Sequence, residues 1–221
     1  MLQAAIAILI KDIQSELRTR YAINALILFV VVTLSVIMFS LVGESLTPSA
    51  LCGILWVIMF FGAMSGLSRA FVAEEEKGTT LTLQLLSRAA SIYVGKLLFN
   101  CLLVVLLDIF IVGLFLLVME DFRILQPALF LLSILLGGLG IAASTTIIAA
   151  IIAKSRSKGT LFPVLSFPIL LPLLLAGITA TKSAVEDRVW DNAIAELQML
   201  GSYIVIVITV SYLLFDFVWK D

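Results

Sequence analysis

The chain has 221 residues and no histidine. That removes the commonest general base, zinc ligand and haem ligand. A histidine-dependent intramembrane protease or a zinc metalloprotease is therefore not expected, and no cofactor is expected on the chain itself. Cys52 and Cys101 are the only cysteines and form no Cys-x-x-Cys, so a thiol–disulfide relay is not expected either. They fall near opposite ends of neighbouring apolar stretches, which argues against a disulfide and for two small apolar fillers. No Gly-x4-Gly-Lys-[Ser/Thr] occurs, so nothing here predicts ATP binding by a P-loop. Gly138-Leu139-Gly140-x-x-Ala143 has the look of a dinucleotide fingerprint but sits inside an apolar run with no preceding strand. It reads as close helix packing through small residues, continued by Ser144. Two features remain. Asp108 lies near the middle of an apolar stretch, where a carboxylate costs about 2.5–3.5 kcal/mol on insertion scales. It must face the bundle, face a partner, or carry a proton, and a structural hydrogen bond accounts for it equally well. Glu74-Glu75-Glu76-Lys77-Gly78 is the densest charge run, and either docks a partner or forms a solvated face.

These residues have to be held by membrane-spanning helices. Six apolar stretches, at 22–43, 49–68, 97–119, 127–153, 161–180 and 200–219, each approach the ~20 residues that cross a ~30 Å hydrocarbon core. Charged residues are only 13% of the chain, too few to clothe a soluble domain of this hydrophobicity. The fold class expected is an all-α polytopic membrane protein, one transmembrane domain over 1–221. The first apolar run, Ala4–Ile10, is short and leads into Lys11-Asp12, so no cleavable signal peptide is expected. Ile6, Ile10, Ile13, Leu17 and Tyr21 recur at helical spacing, with Lys11, Ser15 and Arg18 on another face and Glu16 four residues before Arg20. That pattern predicts an amphipathic interfacial helix over 4–21.

The connection 69–96 is the longest polar one. A helical extension of the second span should end at Gly78, and Leu81, Leu85 and Ala89 predict a second short helix under the membrane. In the fifth span Pro163 could open the helix, while Pro168 and Pro172 fall inside it, remove backbone donors and predict kinks. Backbone freed in lipid must be satisfied, so this span should face protein or a cavity. Val185, Val189, Ala193 and Leu197, with Trp190 alongside, predict an interfacial helix on the outer side.

Charge orients the bundle. Alternate connections share a side, and eleven Lys and Arg fall on the side of both termini against three on the other. Both termini are therefore expected in the cytoplasm. Tyr21, Tyr203 and Trp219 fall where interfacial anchors would sit. The net charge of −1 offers nothing to nucleic acid.

Several short motifs recur in an order that resembles one family. They are Lys11-Asp12-x3-Glu16-x-Arg18-x-Arg20, Gly53-Ile54-Leu55-Trp56, Gly66-Leu67-x-Arg69-x-Phe71 and Glu74-x-Glu76-x-Gly78. Further on come Leu85-Leu86-Ser87, Tyr93-x-Gly95-Lys96-x3-Asn100, Lys154-Ser155-Arg156-x-Lys158-Gly159 and Pro163-Val164-Leu165-x-Phe167-Pro168. Together they resemble the haem exporter protein B (CcmB) family, the permease subunit of the cytochrome c biogenesis ABC transporter. One departure is Arg88, where the family usually has proline. The resemblance implies a six-span permease of the type-2 ABC exporter kind, in the bacterial inner membrane. It implies a homodimer driven by a separate ATP-binding cassette ATPase subunit, working beside haem-handling membrane proteins that would carry any haem ligands. It also implies that the segment around Glu74, Glu75, Glu76 and Gly78 is the ATPase-coupling element.

Other functions stay open at this level. They are a type-2 permease for a lipid, drug or glycan, and a non-transporting scaffold that links an ATPase to a haem-loaded partner. A proton-coupled carrier built on Asp108 would need no ATPase, and no inverted repeat is evident. The few polar residues within the spans, Asn100, Asp108, Thr145 and Thr146, do not suggest a hydrophilic pore.

Overall fold

The computed structural model describes residues 2–41, 46–68, 70–119, 122–153, 158–186 and 190–220. Arg69, Lys154, Ser155, Arg156, Arg188 and Val189 lie outside the described residues. The elements in chain order are α1 Leu2–Thr19, α2 Tyr21–Ser40, α3 Pro48–Leu67, α4 Val72–Glu76 and α5 Thr80–Leu86. They continue with α6 Ala89–Val118, α7 Pro127–Ala153, α8 Lys158–Glu186, a 3-10 turn Trp190–Ala193 and α9 Ile194–Lys220. Six of these helices, α2, α3, α6, α7, α8 and α9, are long and apolar enough to cross a membrane.

Small residues decide which helix is central. In α7, 72% of the span window is buried, against 17% in α2 and 11% in α9, so α7 is the core and those two form the outside. Gly138 faces Val104 and Asp108 of α6, and Gly140 faces Leu173 of α8. Ser144 of α7 bonds Tyr203 of α9 at 2.8 Å. Because the Tyr203 hydroxyl donates to the Ile169 carbonyl of α8 at 2.9 Å, Ser144 is the donor in that pair. Glycines thus let α7 approach α6 and α8 closely, and hydroxyls join three helices by direct hydrogen bonds.

Trp56 of α3 is the wedge that closes this core. Its indole lies against Gly137 of α7 and Gly177 of α8, where an added Cβ would come within 2.0 and 2.3 Å of the ring. Its Nε1–H donates to Thr181 Oγ1 at 3.0 Å, so the buried polar edge is satisfied. Cys52 and Cys101 are both free thiols.

Helix ends follow local chemistry. Thr47 caps α3 by accepting from Ala50 N–H at 3.3 Å, and Pro48 occupies the first turn, where its missing donor costs nothing. Arg20 takes a left-handed φ of 53° and separates α1 from α2. The Glu16 carboxylate accepts from Ile23 N–H at 3.0 Å, capping α2 instead of pairing with Arg20.

Five expectations need correction. The second span does not run on to Gly78: α3 stops at Leu67, and α4 is a separate short helix that Gly78 ends with φ +66°. The α8 helix starts at Lys158, so Pro163 is interior like Pro168 and Pro172. The enclosed face of α8 is Phe162, Ser166, Leu170 and Leu173, which leaves Pro168 and Pro172 on the exposed face and not against protein of this chain. No separate outer interfacial helix occurs among the described residues. Val185 belongs to α8, Ala193 to the 3-10 turn and Leu197 to α9. The reason is that Thr181, Ala184 and Val185 are buried, and the Ala184 carbonyl accepts from Leu125 and Gln126 N–H at 3.1 and 2.9 Å, so α8 keeps packing past its span. Finally, Trp219 is buried against protein and is not an interface anchor.

Candidate functional site

At one end of the bundle α1, α4 and α6 meet around buried charge. The apolar residues Ile6, Ile10 and Leu17 of α1 are exposed, and its narrow buried face is Ala5, Ile8 and Asp12. That face rides on α6 at Gly95, where an added Cβ would lie 2.8 Å from the Ala5 carbonyl. The glycine therefore brings Asp12 onto Lys96, the next residue along α6.

Lys96 is 3% exposed, Asp12 7% and Glu74 7%. Lys96 Nζ lies 3.0 Å from the Asp12 carboxylate and 2.9 Å from Glu74 Oε1. Lys11 Nζ pairs with Asp12 at 3.1 Å and also with Glu74. Thr79, just past Gly78, donates its hydroxyl to Glu74 Oε2 and to the Glu74 carbonyl. Lys96 Nζ also stands 5.6 Å from the centroid of the Phe71 ring. Two ammoniums meet two carboxylates, so the buried charge is balanced and hydrogen-bonded, the condition for tolerating it. Burial alone would lower the Lys11 pKa, but its bonds to Glu74 and Asp12 outweigh that and raise it. A cleft of about 320 Å³ beside the cluster is lined in part by Ser15, Lys77 and Asn100. Asn100 in turn donates to Thr146 of α7 at 2.8 Å.

An aromatic group continues the site toward α9. Phe215 and Trp219 stack with centroids 5.6 Å apart and planes at 15°, and Phe71 and Tyr93 pack on Phe215 at 5.6 and 5.3 Å. Gln84 of α5 donates to the Trp219 carbonyl at 2.7 Å. The α4–α5 hairpin is thus held from both sides, by ions toward α1 and α6 and by rings toward α9.

The acidic run divides. Glu74 is turned inward and spends its carboxylate on Lys11, Lys96 and Thr79. Glu75 and Glu76 are exposed, and Glu75 accepts from Thr80 at 2.8 Å. No residue of α5 is fully buried: Leu83 packs half-buried against the core, while Leu81, Leu85 and Leu86 stand out, Leu85 at 86% exposure. Asp108 lies elsewhere, deep between α6 and α7, and Pro163, Pro168 and Pro172 lie along α8, so these are not part of this site. The partners Asp12 and Lys96 were not singled out by spacing. Their signal is that each is a charge on an otherwise apolar buried face, which needs the helix pairing to be seen.

The CcmB protein family model matches residues 3–216. The chain belongs to the CcmB family. Its members are polytopic membrane permease subunits of the haem-export ABC system of cytochrome c biogenesis. No curated protein matches the chain. Motif residues Lys11, Asp12, Phe71, Glu74, Gly78, Gly95 and Lys96 that suggested CcmB converge on this one cluster, and Trp56 is the core wedge. At the departure, Arg88 caps α6 with φ −67° and Ser87 before it is extended at φ −142°, ψ 145°. Those are values that a proline and its preceding residue adopt, so the turn keeps proline geometry without proline.

Proposed function

We propose that the chain is the permease subunit of an ABC complex acting in c-type cytochrome biogenesis, in haem export or release of a haem chaperone. In this reading it works as a homodimer in the bacterial inner membrane, with both termini cytoplasmic. It catalyses nothing itself, and a separate ATPase subunit hydrolyses ATP. The carrying observation is the ion cluster. It clamps the exposed α4–α5 hairpin to α1 and to α6, so a push on the hairpin is a push on a membrane-spanning helix. The gripping surface is Glu75 and Glu76 together with Leu81, Leu85 and Leu86, while Glu74 anchors the hairpin from behind. Magnitudes favour the leucines as the source of affinity. Each buried leucine contributes about 1.5–3 kcal/mol, whereas an exposed charge pair contributes about 0–1 kcal/mol and mainly sets register.

The test is a variant carrying Glu75→Lys, Glu76→Lys and Leu85→Asp, all on exposed side chains. It should insert and stay folded but lose the co-purifying ATPase or its stimulated hydrolysis. A stoichiometric, normally active ATPase on that variant would defeat the coupling assignment. Mass spectrometry of the complex taken gently from native membranes addresses the pathway: an ATPase with a haem-handling membrane protein is expected.

The scaffold reading keeps one observation in its favour. Several polar side chains inside the spans are engaged with each other, Asn100 with Thr146 and Ser144 with Tyr203, which suits packing between helices.

A further inference from the structure

An apolar groove of about 380 Å³ runs between α6 and α7, away from the charged cluster. One wall is Val105, Asp108, Ile109, Val112 and Gly113 of α6, a single face at steps of three and four. The other is Leu131, Ile134 and Leu135 of α7. The α6 wall covers eight steps of helix, about 12 Å or two turns at 1.5 Å per residue. Two observations suggest that a ligand belongs there. Asp108 is 4% exposed, and its Oδ2 is buried over Gly138 with no hydrogen-bond partner among the described residues. An unpaired carboxyl oxygen in the middle of a span is expensive, and a neighbouring donor would remove the cost. Gly113 has nothing within 4 Å of where a Cβ would stand, so a helix backbone could approach α6 closely at that point.

We propose that this groove docks one membrane-spanning helix of a different subunit, and that the helix presents a side-chain N–H to Asp108. The torsion of an aspartate carboxyl is soft and two-fold, so a donor in the groove can meet an oxygen without backbone movement. Lipid fits less well, since an acyl chain carries no donor. A second copy of this chain also fits less well. The N–H-bearing side chains Trp56, Lys96 and Asn100 within its own spans are buried and already donate to Thr181, Glu74 and Thr146. The proposal requires no particular cargo and stands or falls separately from the functional reading.

The test uses the whole complex from native membranes with a photo-crosslinking amino acid at Ile109 or Leu131, and at Leu213 of α9 as control. The expected adduct is to a membrane-spanning segment of another subunit, with an Asn, Gln, Trp, Lys or Arg within one turn of the linked residue. Asp108→Leu should cut the adduct by about ten-fold, the effect of one intramembrane hydrogen bond at the strong end. Asp108→Asn, which keeps an acceptor, should retain most of it. Gly113→Leu fills the groove from its open side without touching this chain's own packing and should abolish the adduct. Adducts only to lipid or to a second copy would overturn the proposal. So would an unchanged adduct in Asp108→Leu or Gly113→Leu.

Discussion

Glu74 and Glu75 are neighbours in sequence with opposite duties, one buried among ammoniums and one in the open. Breaking a buried ion cluster by removing one partner costs far more than the intact cluster contributes, because the other charges stay behind unpaired. Lys96→Met should therefore destabilise the protein by about 3–5 kcal/mol, seen as a large fall in thermal midpoint in detergent. Adding Asp12→Asn to that variant should restore part of the loss; no restoration would mean that Lys96 acts through packing alone. The Lys11 pKa is raised above its ordinary 10.5, so its ion pairs contribute fully below that pH and are lost as pH climbs through the higher folded value. Near neutrality the clamp should be insensitive to pH. Arg88 gives the opposite kind of prediction. Its backbone already has proline geometry, so Arg88→Pro should fold normally and gain about 0.4–1 kcal/mol through a stiffer unfolded chain. A lower thermal midpoint would show that the Arg88 side chain or N–H matters.

Among the elements, α7 sits at the centre because its glycines let neighbours in. Gly137→Ala would place a methyl 2.0 Å from the Trp56 ring, which is held in place by Thr181 and Gly177. Overpacking of that kind costs about 1–3 kcal/mol, and folded yield or thermal midpoint reads it. Trp56→Phe in the same chain should relieve part of the clash. A neutral Gly137→Ala would mean that the wedge is looser than the distances require. In α8 the exposed positions of Pro168 and Pro172 make replacement sterically free. Pro168→Ala with Pro172→Ala restores two backbone donors and should stabilise the helix by up to ~3 kcal/mol each. The double variant is expected to be inserted, more heat-resistant and poorly active, since a stiffer α8 yields less to the hairpin. Normal stimulated hydrolysis and normal pathway activity would remove any role for the two prolines.

For the whole molecule, orientation is the claim on which partner assignments depend. The excess of Lys and Arg on the side of α1 and the α4–α5 hairpin is the ground on which that side is proposed to be cytoplasmic, by the positive-inside rule. A single cysteine at Thr47, the cap of α3, should react with an impermeant thiol reagent from the outside of intact cells. A cysteine at Lys77, beside Gly78, should react only after permeabilisation. The reverse pattern would move the hairpin away from ATP and end the coupling proposal.

Hydrophobic length and charge asymmetry were legible in the residues alone, because each is a sum along the chain that no fold can change. Six spans and the fold class followed from such local terms, and the family from a resemblance carried by short motifs in a fixed order. So did the amphipathic character of α1 and the small-residue run of α7. Pairing was not legible. Which face of α1 is buried, where α3 breaks, how far α8 runs and which of three adjacent glutamates points inward all depend on contacts between segments distant in sequence. Lys96 meets Asp12 across 84 residues only because Gly95 lets α1 rest on α6. Asp108 was visible as a misplaced charge. That its buried oxygen finds no donor among the described residues, beside an open groove, is a property of the packed helices.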